Sequence, residues 1–277
     1  MKIPNAPRSI QKGVPLKNVL GEQAVYQLAS NIKEVYEVFD GRAFCNHVIA
    51  KLDQLELMGR SKYIAKALFR FLPDPYSVAI DVLMQTLTAP LTRTYDNGLA
   101  PMFYLPYCDF VAMYGVDAVY NAGVEPFYVS LQAQYELTQR STCEFSIRAF
   151  LERDTDRTLA VLNDWCQDSN PHVRRLCSEG TRPRLPWAQK LNVFIENPHL
   201  VLPILEALKD DTDLYVRRSV ANHVGDIAKD HLNLALDICE NWLESSSKEL
   251  KWVIRHALRN PAKKENKRAL YLRTLAK

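Results

Sequence analysis

One segment recurs three times in the C-terminal half of the chain, and this recurrence limits the fold more than any other feature. Pro171-His-Val-Arg-Arg-Leu-Cys177 aligns with Leu214-Tyr-Val-Arg-Arg-Ser-Val220 and with Lys251-Trp-Val-Ile-Arg-His-Ala257. The aligned arginines are Arg175, Arg218 and Arg255, at offsets of 43 and 37 residues. Each copy is too short to bury its own apolar face, so the copies are expected to stack on one another.

A period near 40 with two helices per unit is the spacing of HEAT and armadillo repeats. Helical periodicity runs from about Leu16 to Leu272. With only nine glycines and no convincing alternation of apolar and polar residues, strands are not expected. The expectation is an all-α chain, a right-handed solenoid of HEAT-like helix pairs with a concave face. Residues 1–14 read as an irregular arm and 15–277 as one repeat domain, with a helical N-terminal part over 15–104 and the repeats over 105–277. Within it, Ser61–Phe71 reads as helix ending before Pro73, and 91–104 as loop. Asn197 reads as a helix cap followed by Pro198 at the first helical position. Asp211 or Thr212 is expected to cap the next helix, and Asp230 to precede a helix over Leu234–Leu243.

The chain has 277 residues, 47% of them hydrophobic, enough for a sizeable core. Lys+Arg number 35 against 32 Asp+Glu, a net charge of +3 that does not by itself announce a nucleic-acid binder. Cys45, Cys108, Cys143, Cys166, Cys177 and Cys239 show no CxxC pairing and read as reduced, buried thiols of a cytoplasmic protein. Met1 to Leu20 lacks the apolar stretch of a signal peptide, and no run reaches the ~18 apolar residues of a membrane span. The six histidines have no ligand spacing, so neither metal nor other cofactor is expected.

A helical wheel sorts the repeat helices. Val216, Val220, Val224 and Ile227 form one apolar stripe, and Arg218, Asn222 and Asp226 lie opposite, since two residues turn a helix by about 200°. Val173, Leu176 and Cys177 point inward, with Arg175 and Glu179 outward. Cys143, Ile147, Phe150 and Leu151 are inward, with Glu144, Arg148 and Glu152 on another face. Arginines suit phosphates through charge and bidentate hydrogen bonds. Carboxylates among them would repel phosphate, a cost that a reaction developing positive charge would justify, as cleavage of an N-glycosidic bond does. The plain alternative is a set of solvated i,i+4 pairs, Glu144 with Arg148 and Arg175 with Glu179, and an Asp226–Lys229 pair. Trp165 and Trp242 fall within apolar stripes, whereas Trp187 follows the Pro/Arg-rich loop Gly180-Thr-Arg-Pro-Arg-Leu-Pro186. The basic tail, Lys263, Lys264, Lys267, Arg268 and Arg273, reads as phosphate-binding or merely solvated.

The run from Asn170 through Pro-His-Val-Arg-Arg-Leu-Cys-Ser-Glu-Gly-Thr-Arg-Pro-Arg-Leu-Pro to Trp187 closely resembles a signature of the AlkC branch of DNA alkylation-repair proteins. Tyr215-Val-Arg-Arg-Ser-Val-Ala-Asn222, Asp226-Ile-Ala-Lys-Asp230 and Trp252-Val-Ile-Arg-His-Ala-Leu258 are similar too, as are Pro15-Leu-Lys-Asn18 and Tyr104-Leu-Pro106. The resemblance spans nearly the whole chain. It implies a DNA glycosylase that removes cationic alkylated bases, N3-methyladenine above all, from duplex DNA without fully flipping the base. It implies that Glu144, Glu179 and Asp226 are the site's acids, Asp226 foremost, and that Trp187 meets the lesion. Arg148, Arg175, Arg182, Arg218 and Arg255 become phosphate-contact candidates. No catalytic lysine is indicated, which implies a monofunctional enzyme, a monomer working on double-stranded DNA in the bacterial cytoplasm at the nucleoid. The 116–140 segment, with Asn121, Gly123 and Pro126, matches weakly, and two further departures stand out. Some relatives append an immunoglobulin-like domain where this chain ends at Lys277, and Gly225 stands where a larger polar residue is expected. A non-catalytic HEAT-like module binding DNA or protein is the alternative, and a structural scaffold a third reading.

Overall fold

In the computed structural model, which describes residues 1–116, 121, 125–244 and 247–277, the described residues form helices and connections and no strand. The chain divides into two compact units, Met1–Phe150 and Leu151–Lys277.

The first unit contains α1 (Glu22–Val35), α2 (Gly41–Leu52), α3 (Leu57–Phe71), α4 (Tyr76–Gln85), α5 (Leu105–Tyr114) and α6 (Phe127–Thr138), and it ends inside α7 (Ile147–Arg153). Residues 1–15 form no helix, but hydrogen bonds to their carbonyls tie them down. Asn31 Nδ2 donates to the Lys2 carbonyl at 2.8 Å, and Leu99 N to that of Pro7 at 3.0 Å. A small cavity of about 100 Å³ remains beneath this arm, lined by Pro4, Ile10, Val14, Leu99 and Phe103 among others. The 91–104 stretch is loop only in part, since Ala100–Tyr104 close a 3-10 turn that buries Phe103 and Tyr104.

The second unit holds α8 (Thr155–Trp165), α9 (Pro171–Gly180), α10 (Asn192–Glu196), α11 (Leu202–Leu208), α12 (Leu214–Asp230), α13 (Leu232–Leu243), α14 (Lys248–Ala257), α15 (Arg259–Lys263) and α16 (Lys267–Leu275). The three recurring segments are α9, α12 and α14, each preceded by a partner helix, α8, α11 or α13. α12 packs against both α9 and α14. This is the helix-pair stacking that the period of about 40 implies. The inward stripes are where the wheel puts them: Val173, Leu176, Cys177, Val216, Val220, Val224 and Ile227 are all at most 1% exposed.

Asn-Pro does cap a helix, though at Asn170-Pro171, where Asn170 Oδ1 accepts from His172 N at 2.9 Å. At Asn197-Pro198 the side chain makes no cap, and the prolyl residue instead opens a 3-10 turn, Pro198–Val201, ahead of α11. The cap of α12 is Asp213, accepting from Tyr215 N at 2.8 Å, rather than Asp211 or Thr212. Asp211 is instead clasped by Arg174 of α9, Nε to Oδ2 at 2.6 Å and Nη2 to Oδ1 at 2.9 Å. All six cysteines are free and buried. No helix among the described residues is long and apolar enough to cross a membrane.

Candidate active site

The wheel needs one correction, and it falls on the residues of most interest. Asp226 is only 2% exposed, Glu179 6% and Arg148 4%, although each lies opposite an apolar stripe. A wheel assumes one buried face, whereas α12 is covered by α9 on one side and α14 on another. Along its Arg218, Asn222, Asp226 stripe, burial deepens from exposed through half-buried to buried. The acids are therefore not solvated helix-face carboxylates.

They are joined by one guanidinium. Arg182, itself 8% exposed, donates from Nη1 to Glu179 Oε1 at 2.7 Å and from Nε to Asp226 Oδ2 at 2.8 Å. The other oxygens are also engaged. Ser219 Oγ donates to Glu179 Oε2 at 2.6 Å, and Lys229 Nζ to Asp226 Oδ1 at 2.7 Å. Arg175 Nη2 lies 3.4 Å from Glu179 Oε1, and its guanidinium sits 5.0 Å from the Tyr215 ring centre. Burial alone would raise the Glu179 pKa, but the charges of Arg175 and Arg182 and the hydrogen bonds from Ser219 and Arg182 outweigh it and hold the carboxyl below its usual range. Glu179 is thus a carboxylate at neutral pH.

The loop after α9 is built to hold this bridge and to present Trp187. Arg184 forms a second, bidentate pair with Asp230, Nε to Oδ2 at 2.6 Å and Nη2 to Oδ1 at 2.7 Å. Arg182 and Arg184 thus engage Asp226 and Asp230, which lie one turn apart on α12. Leu185 is buried, and Leu191 N donates to the Pro183 carbonyl at 3.1 Å. Beyond these fixed points Trp187 is 74% exposed with φ of +66°. A large aromatic in the left-handed region is strained, and such strained positions cluster at functional sites.

One further group was not singled out from sequence. His223 is fully buried one turn before Asp226. Burial, opposed by Asp226 and assisted by Arg182, lowers its pKa to about 4. The ring is therefore neutral, with Nδ1 donating to the Ser178 carbonyl at 3.0 Å and Nε2 without a partner among the described residues. On the α14 side, Asn222 Oδ1 accepts from Arg259 Nη2 at 2.9 Å and from His256 Nε2 at 3.2 Å. His256 also stacks on Trp252, with ring centres 4.9 Å apart. Asp226 and Asp230 had a sequence signal in their spacing of four on one helix; His223 had none, being one more residue on a helix buried on several sides.

Of the remaining candidates, Arg218 is exposed at the start of α12. Arg255 is half-buried, and its guanidinium donates to the Ala276 carbonyl. Glu144 belongs to the first unit, where Oε2 accepts from Thr142 Oγ1 at 2.7 Å, and Arg148 is buried in the same unit. At Gly225 a Cβ would stand 3.4 Å from the Ala257 carbonyl of α14, an ordinary contact. Among the described residues no group of three or more His, Cys, Asp or Glu is arranged to hold a metal ion.

An all-helical chain that stacks repeated helix pairs and buries an arginine-bridged pair of carboxylates beside a loop bearing an exposed tryptophan is a helical-repeat protein with a built polar site. No family model matches it. It is 35% identical to the uncharacterized protein YhaZ of Bacillus subtilis (strain 168), over 93% of this chain and 67% of that one. It is similar to the Pseudomonas fluorescens alkylpurine DNA glycosylase AlkC, solved bound to DNA containing an abasic site analog, with a TM-score of 0.82 and 38% identity. That match covers 94% of this chain and 68% of the other. AlkD2 from Streptococcus mutans matches at 20% identity and a TM-score of 0.39, too distant to bear on the site. The chain belongs to the AlkC family.

Proposed function

We propose that the chain is a monofunctional DNA glycosylase that excises cationic alkylated purines, N3-methyladenine foremost, from double-stranded DNA. The observation that carries the reading is the Glu179–Arg182–Asp226 cluster joined to the loop of Trp187, in a chain 38% identical to a protein named as an alkylpurine DNA glycosylase.

The chemistry asks little of an acid. A methylated base already carries positive charge, so the N-glycosidic electron pair passes to the ring, which leaves neutral. Water adds at C1′ and gives up its proton. The sugar becomes cationic on the way, and a fixed carboxylate nearby lowers that barrier. Asp226 is assigned to the sugar and the attacking water, with Glu179 holding Arg182 in place behind it. Trp187 is assigned to the face of the cationic base. Arg175 and Arg218 are assigned to phosphates. Arg182, claimed by both carboxylates, belongs to the cluster instead of the backbone. The supporting part for Glu144 and the phosphate parts for Arg148 and Arg255 rest on the resemblance alone.

The buried cluster also answers the objection that acids repel DNA. Arg175, Arg182 and Lys229 contact the two carboxylates, an excess of positive charge. A module that only bound DNA or protein would gain nothing from burying two carboxylates, because such pairs are costly to desolvate. The test is release of free base from methylated duplex DNA by the purified protein. DNA binding without release would leave the module reading in place.

A further inference from the structure

The two oxygens of Asp226 are held in unlike ways. Oδ2 takes its hydrogen bond from Arg182, a buried guanidinium fixed at its other end by Glu179. Oδ1 takes its hydrogen bond from Lys229, whose side chain is 51% exposed and sits three residues on along α12. No other hydrogen-bond partner of Oδ1 is present among the described residues. A half-exposed ammonium on a flexible stem is weakly committed to its partner and is screened by salt. Lys229 also extends the Arg218, Asn222, Asp226 stripe by spacings of four, four and three, so it lies on the helix face that bears the exposed Arg218. In this state Asp226 is a poor stabiliser of a developing cation, because a positive charge already covers the oxygen not taken by Arg182.

We propose that Lys229 is a DNA-exchangeable counter-ion. It masks Oδ1 of Asp226 in the free protein, passes to a backbone phosphate when duplex DNA binds, and so leaves that oxygen open to the sugar. This rests on the glycosylase reading for its purpose, but the exchange itself is a binding event. Asp226 and phosphate compete for one ammonium, and the competition is measurable without any excision.

The experiment measures duplex DNA binding against salt for the wild type, K229M and K229R. The slope of log K against log[salt] should flatten by about one unit in K229M, as for one lost phosphate contact, and return in K229R. D226N should tighten DNA binding when Lys229 is present, since it frees the ammonium, and should do so much less in the K229M background. An unchanged slope in K229M overturns the proposal, as does a D226N effect of equal size in both backgrounds. Should D226N fail to fold, the slopes of K229M and K229R decide alone. If the wild type binds DNA with the expected slope behaviour but releases no base, the glycosylase reading fails and the exchange stands.

Discussion

Replacing Arg182 with Met tests whether the cluster is held together as described. Met keeps the aliphatic stem and removes two charge-assisted hydrogen bonds, at 2.7 Å to Glu179 and 2.8 Å to Asp226. Both carboxylates stay buried. Removing one partner of a buried ion network costs ~3–5 kcal/mol, chiefly by stranding the charge left behind. Here each carboxylate keeps some support, Glu179 from Ser219 and Arg175, Asp226 from Lys229. That places the expected loss near the lower end, about 3 kcal/mol. At ~2–4 °C per kcal/mol for a chain of this size, Arg182→Met should lower Tm by roughly 6–12 °C. Circular dichroism melts at neutral pH provide the measurement. Arg182 is among the charges that hold the Glu179 carboxyl below its usual range, so the deficit should shrink as pH falls and that carboxyl takes up its proton. A Tm within about 2 °C of wild type at neutral pH would refute the bridge, since both acids are buried, Glu179 at 6% exposure and Asp226 at 2%.

Asp226→Asn should cut single-turnover excision by about 10²-fold or more and, because Asp226 is buried against Arg182, should also lower stability by about 1–3 kcal/mol; near-normal excision by the folded variant would move the role to Glu179. Trp187→Gly should leave Tm unchanged or slightly raised, because the indole is exposed and Gly relieves a left-handed backbone worth about 1–2 kcal/mol, while excision falls; a large drop in Tm would make Trp187 a structural anchor. His223 has a folded pKa depressed to about 4 against roughly 6.5 unfolded. The unfolded chain therefore binds the proton first, and stability should fall as pH drops from about 6.5 to about 4, by up to about 3 kcal/mol. His223→Gln should flatten that part of the stability–pH curve, and an equally steep curve in the variant would contradict the assignment.

The stacked repeat was legible because a recurrence of Val-Arg-Arg and its variants directly records three equivalent helices, and the inward valines of α12 follow from a 3.6-residue period. The Asp226–Lys229 pair was legible for the same local reason, a spacing of three on one helix. The burial of Asp226 and Glu179 was not, because it arises from α9 and α14 packing on further faces of α12, which no single-helix wheel contains. The cap at Asn197-Pro198 failed where the same dipeptide at Asn170-Pro171 succeeded, since the dipeptide fits a 3-10 turn and an α-helix equally well. Trp187 was marked by its Pro/Arg-rich neighbourhood, but the two arginine–aspartate pairs that anchor its loop were not, because they join residues more than forty positions apart.

The central claim is that this chain breaks N-glycosidic bonds to cationic alkylated bases. The most direct measurement is chromatography of the bases freed from methylated duplex DNA under single-turnover conditions, with EDTA present and the strand analysed before any alkali treatment. The account predicts free N3-methyladenine, an intact strand carrying an abasic site, and loss of release in Asp226→Asn. DNA that is bound tightly but yields no free base from the wild-type protein would contradict it.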